Sequence, residues 1–192
     1  MRELPPLIIV PGWRNSGPGH WQSVLERRWP GAVRVQQLDW EAPSRQEWVD
    51  TLVDTILGAG RPVLLAAHSL GCITVAHLPE EVASKIEGAL LVAPANPVGR
   101  PALAGFAPVP MRRLPFRNIV VASDDDPYCG LDVARRFALA WEGEFAQLQN
   151  AGHINIESGY GSWPKAEELL EDLADQSIAR RLREHSLLYS FG

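Results

Sequence analysis

Short apolar runs alternate with amphipathic stretches along this chain, regularly enough to name elements. Leu7-Ile8-Ile9-Val10 is unbroken apolar sequence ended by Pro11-Gly12, as expected of a strand covered on both faces. Trp21, Val24, Leu25 and Trp29 then fall at helical spacing, and Pro30-Gly31 stops that helix. Val33 to Leu38 reads as a weaker strand. Ser44-Arg45-Gln46-Glu47 has the form of a capping box, opening a helix with an inner stripe of Trp48, Leu52 and Ile56 that ends at Gly58 to Gly60. Val63 to Ala67 is another buried run, and Cys72 to Ala76 behind it can wind back as a helix. Ala89 to Ala93, Ile119 to Ala122 and, less well, Phe145 to Leu148 complete six strand candidates separated mostly by helical stretches. This order predicts a parallel sheet with helices on both faces. Right-handed crossovers then put the C-terminal ends of the strands on one edge. Pro94 to Pro115, with six prolines in 22 residues, reads as an irregular excursion over that edge rather than a linker, because strands resume beyond it.

Composition narrows the picture without changing it. The 192 residues fit one domain, 1–192, with enough chain to bury a sizeable core. Apolar residues at 46% and charged residues at 21% are ordinary for a globular protein. A net charge of -5 and a pI near 5.5 give no general attraction to nucleic acid or to an anionic membrane. The apolar run at Leu7 to Val10 is too short for a signal peptide, and no run approaches a bilayer span, so the expected location is cytoplasmic. Cys72 and Cys129 lack metal-ligand spacing, so free thiols are expected and no structural zinc.

The candidate chemistry lies where strands end. Ala67-His68-Ser69-Leu70-Gly71 has the small-x-Ser-x-Gly spacing of a nucleophile elbow, in which a sharp strand-to-helix turn lifts a serine hydroxyl clear of the sheet. Ala67 stands where glycine is usual, a departure of one methyl group. A serine needs a base to take its proton. Of five histidines, His153 suits best, because it follows the last strand in a Gly-His turn and lies after an acid candidate in the order Ser, Asp, His. His68 should point away from the serine, His77 lies in the elbow helix, His185 lies in a polar tail, and His20 could reach a substrate. Asp126 is the preferred acid of Ser123-Asp124-Asp125-Asp126-Pro127, with Asp124 and Asp125 as alternatives that could cap or face solvent. A cation site at these carboxylates is disfavoured by their spacing, and no metal is expected. Backbone N–H groups of Leu70 and Trp13 would form the oxyanion hole. His20, Trp21, Phe106 and Tyr128, with Trp13, are candidate substrate contacts. Arg100, Arg112 and Arg113 could attract an anionic substrate or simply face solvent.

PGWRNSGPGHW at 11–21, AHSLGC at 67–72, SDDDPY at 123–128 and GHINIESGYGSWP at 152–164 together resemble a known family. It is that of the small bacterial serine hydrolases grouped with retinoblastoma-binding protein 9, in the α/β-hydrolase superfamily. The resemblance spans roughly 5–175. It implies an α/β-hydrolase fold of about six mostly parallel strands without a large lid, and a triad at Ser69, Asp126 and His153. It does not imply a substrate; the acyl-transfer reading of the triad is what predicts a small-molecule acyl substrate and no cofactor. The expected activity is carboxylic-ester hydrolysis, with thioester and amide hydrolysis open. The rival expectation is a non-catalytic protein-interaction module on a hydrolase scaffold. The tail 176–192 lies outside the resemblance and is unassigned.

Overall fold

Six parallel strands form one sheet: β1 (Leu7–Val10), β2 (Val33–Arg34), β3 (Val63–His68), β4 (Ile86–Val92), β5 (Arg117–Ser123) and β6 (Glu144–Leu148), in the spatial order β2-β1-β3-β4-β5-β6. The structure is a computed structural model and describes residues 4–175; the tail assigned above to 176–192 lies outside the described residues. Helices α1 (Trp21–Arg28), α2 (Arg45–Gly58), α3 (Leu70–Ala76) and α4 (Leu131–Ala140) connect the strands, and a further helix, α5, runs over 164–175.

The strands alternate between two cores. Ile8, Val10, Leu65, Ala67, Leu91 and Val120 face one side, against Trp48, Leu52 and Ile56 of α2 and Phe137 of α4. Leu7, Ile9, Leu64, Leu90, Val92 and Val121 face the other, against Trp21 and Leu25 of α1 and Leu170 and Leu173 of α5. Both faces are therefore dry, which is why the strands read as continuous apolar runs instead of alternating ones. Each fully buried aliphatic side chain contributes roughly 1.5–3 kcal/mol, so neither face is dispensable.

Three local expectations need correction. β2 pairs only at Val33 and Arg34, and after Val35 donates its N–H to Ile9 O the chain leaves the sheet, with Leu38 85% exposed. Pro11 ends the partner strand there and can offer no N–H to prolong the ladder. The capping box does not close: Ser44 is the N-cap of α2, but its side chain makes no cap hydrogen bond. The excursion after β4 only partly covers the strand ends. Its six-residue 3-10 turn (Pro101–Phe106) sends Phe106 down into the α2/α3 core, edge-on to Trp48 at 5.9 Å.

The chain runs from β1 outward to β2 on one side and then to β3 and β4 on the other. The sheet therefore reverses direction between β1 and β3, and a crevice opens at their carboxyl ends, where ligands bind in folds of this kind. The register Val10↔Ala67 brings the loop after β1 beside the turn after β3. Among the described residues no helix is long and apolar enough to cross a membrane.

Candidate active site

The turn from β3 into α3 is strained at one residue. Ser69 has φ 56 and ψ -120, a region that non-glycine residues rarely occupy and that persists only where the surroundings enforce it. The enforcement is visible in its hydrogen bonds. Ser69 N–H donates to Val92 O, and Ser69 O accepts from the N–H groups of Cys72 and Ala95. Gly71 is required by close approach, since a Cβ there would run into the carbonyl oxygens of Val10 and Pro11. Gly12 is equally confined: a Cβ on it would lie 2.8 Å from Ser69 Cβ.

The elements bring Ser69, His153 and Asp126 into one hydrogen-bonded line. His153 Nε2 lies 2.9 Å from Ser69 Oγ, and Nδ1 lies 2.9 and 3.0 Å from the two Asp126 carboxylate oxygens. A carboxylate only accepts, so Nδ1 carries the proton and Nε2 is left to accept from the serine hydroxyl. The Asp126 side chain is 2% exposed, and its Oδ1 also accepts from Tyr128 N–H, so little water competes for it. The neighbouring acids serve the backbone. Asp125 Oδ1 accepts from Ser123 Oγ and Gly152 N–H, Ser123 Oγ accepts from Ala151 N–H, and Asp124 Oδ1 accepts from Asn150 N–H. Together they splint the loop after β6 that carries His153 to the end of β5. Those contacts hold the Asp125 carboxyl below its ordinary range, the Ser123 hydrogen bond foremost.

A cavity of about 300 Å³ opens over Ser69 and His153. Trp13, His20 and Tyr128 border it, with the Tyr128 ring 4.4 Å from that of His153. Trp21 and Phe106 do not border it. Both are almost fully buried, and Trp21 instead donates its indole N–H to Ile154 O, bracing the His153 loop from beneath. Aromatic identity alone does not tell a pocket wall from a core filler. Among the described residues, no acceptor takes the backbone N–H of Trp13 or Leu70, whereas Arg14 N–H and Asn15 N–H are both engaged. The three arginines do not reach the cavity. Arg100 donates to Pro127 O and lies over Tyr128, Arg112 pairs with Glu80, and Arg113 pairs with Glu142.

Three residues at the site were not assigned from the sequence. His68 does not point away: it borders the cavity, and its Nε2–H donates to His153 O at 2.9 Å. Gln22 in α1 donates to both Val10 O and Ala66 O and accepts from Ser16 Oγ, tying the loop after β1 to two strands. Arg34 reaches Asn15 Oδ1, Ser16 O, Ser23 Oγ and Glu26. For His68 the available signal was a polar residue closing an otherwise apolar strand; Gln22, beside Ser23, and Arg34, in a two-residue strand, carried no such signal. Burial pushes the His68 imidazole well below its ordinary value, aided by His153 and His20. Burial, with Arg34 and His153 beside it, lowers His20 to about 4.

A parallel sheet with a crevice at its switch point, and a sharp serine turn at the carboxyl end of a central strand, defines an α/β-hydrolase. Residues 7–172 match the family described as serine hydrolase, and the chain belongs to that family. It is similar to a YdeN-like hydrolase from Pectobacterium atrosepticum, with 33% identity over 91% of each chain and a TM-score of 0.78. YdeN of Bacillus subtilis (strain 168) is 23% identical over 177 residues, 85% of this chain and 93% of its own. The crystal structure of the ydeN gene product superposes on 88% of this chain and 98% of its own, with a TM-score of 0.71.

Proposed function

We propose that the chain is a carboxylic-ester hydrolase that works by acyl transfer through a Ser69-His153-Asp126 triad. The observation that carries this reading is the unbroken line from Ser69 Oγ through both His153 nitrogens to Asp126, at the floor of a cavity. His153 Nε2 takes the hydroxyl proton as Ser69 Oγ attacks the carbonyl carbon, and Asp126 stabilises the imidazolium that forms. The unpaired amides of Leu70 and Trp13 are the donors available to the developing oxyanion. His153 then protonates the departing alcohol, and a water activated by the same nitrogen releases the acid from Ser69. No cofactor enters this scheme. A cavity of about 300 Å³ is at the small end of ligand sites and favours a small acyl substrate. The four motif blocks favour the type grouped with retinoblastoma-binding protein 9, acting as one cytoplasmic domain.

A fluorophosphonate probe should label Ser69, and Ser69→Ala should lose both labelling and ester turnover while melting like the parent protein. Retained esterase activity in that variant would falsify the assignment. A folded protein that never labels would favour the non-catalytic interaction module instead. Matched oxygen esters, thioesters and amides of one acyl group then rank the leaving groups.

A further inference from the structure

His153 sits between two residues of left-handed backbone. Gly152 has φ 52 and Ile154 has φ 49, and for a β-branched residue that value is strained. Such a turn keeps its shape only where neighbours impose it. Here the peptides on both sides of Ile154 are pinned by ring N–H groups from other elements. His68 Nε2–H donates to His153 O at 2.9 Å, and the Trp21 indole N–H donates to Ile154 O at 3.1 Å. Both hydrogen bonds are buried, and the two rings meet edge to face with centroids 6.1 Å apart. On the other side of His153, its own N–H donates to Ser158 Oγ at 3.2 Å. His68 is also the last residue of β3, in register with Val92 of β4, so the donor is anchored in the middle of the sheet.

Resting on the ester-hydrolase reading, we propose that His68 is a positioning residue for the reaction: by holding the His153 carbonyl, it sets the imidazole against Ser69. The contacts close a ring. It runs from Ser69 Oγ to His153 Nε2, through that residue to its carbonyl, across to the His68 ring, and back along one peptide bond to Ser69. Ser69 and His153 are 84 residues apart in the chain, and this ring ties them together without passing through the substrate. An error of about 1 Å in such an alignment can cost on the order of 10² in rate, so the hold on the carbonyl bears directly on proton transfer. His68 acts only through His153 and takes no proton from the substrate.

The test compares ethyl acetate with p-nitrophenyl acetate on the full chain. Ethoxide must receive the His153 proton as it leaves, whereas p-nitrophenolate departs without one, so a misplaced imidazole costs the alkyl ester more. His68→Gln puts an amide N–H near the Nε2 position; His68→Met has the same length and no donor, and His68→Asn keeps an amide too short to reach the carbonyl. In Met and Asn variants, kcat/KM for ethyl acetate should fall by roughly 10², and the ratio of aryl to alkyl ester should rise about tenfold. In His68→Gln the ratio should return toward that of the parent. A ratio of two substrates is insensitive to partial loss of folded protein, and two donorless variants guard against one that does not fold. The rate of Ser69 labelling by the fluorophosphonate should follow the same order, and it carries the test if neither acetate is turned over. An unchanged ratio with parent-like labelling, a uniform loss on both esters, or equal damage in the Gln and Met variants would each overturn the role of His68 while the hydrolase reading stood. A parent protein that neither labels nor turns over ester would remove the hydrolase reading and this role with it.

Discussion

Asp125 and Asp126 are adjacent in the chain but attach to different things, so replacing each by asparagine separates loop support from orientation of the imidazole. Asp126→Asn leaves the shape of the site but offers His153 a group that can also donate, which allows the wrong tautomer. The loss expected in kcat is on the order of 10⁴. Asp125→Asn weakens the hold on Ser123 and Gly152, so it should lower the melting temperature and cost far less in kcat. Turnover lost in Asp125→Asn but kept in Asp126→Asn would reverse the two roles. Ser69 and His153 were legible because their neighbours are constrained: small residues flank the serine, and a glycine precedes the histidine. Which of three consecutive acids meets the ring depends on side-chain directions within a turn, and sequence spacing does not encode those. His68 was misread for the same reason, since alternation along a strand fixes the face but not what the next loop lays over it.

The elbow behaves as a unit in which β1, β3 and α3 must close on one another. Gly71→Ala places a methyl group against two backbone carbonyls that cannot swing aside. We expect a loss of about 1–3 kcal/mol in a urea melt, as for overpacked cores, together with weakened Ser69 labelling. Wild-type stability with full labelling would show that the turn has slack. The long buried runs were easily read as strands because both sheet faces are covered. Elements dependent on a partner were not: β2 stops where its neighbour meets Pro11, and the expected cap at Ser44 is a side-chain conformation that the four-residue pattern permits but does not enforce.

Across the whole molecule, the buried histidines tie stability to acidity. An imidazole lowered on folding from 6.5 to about 4, as at His20, is protonated in the unfolded chain before it is in the folded one. Stability is therefore at its full value above the unfolded pKa, falls as the pH drops from about 6.5 to 4, and levels off below. For His20 alone the change is about 3 kcal/mol, and His68 is shifted the same way. Thermal melts at pH 7.5 and 4.5 should differ accordingly, with the slope reduced in His20→Gln; a flat profile would mean that these rings charge without unfolding the protein. That the strand ends share one edge could be foreseen from the succession of elements, whereas the crevice between β1 and β3 and the union of Gln22, Arg34 and the loop after β1 could not, because they depend on the order in which strands pair and on side chains that only the finished sheet brings together. One margin of that sheet ends in β2, whose ladder to β1 is just two residues long. An approaching chain finds almost nothing there to zip onto, so this border resists the strand-by-strand growth that turns open sheets into fibrils.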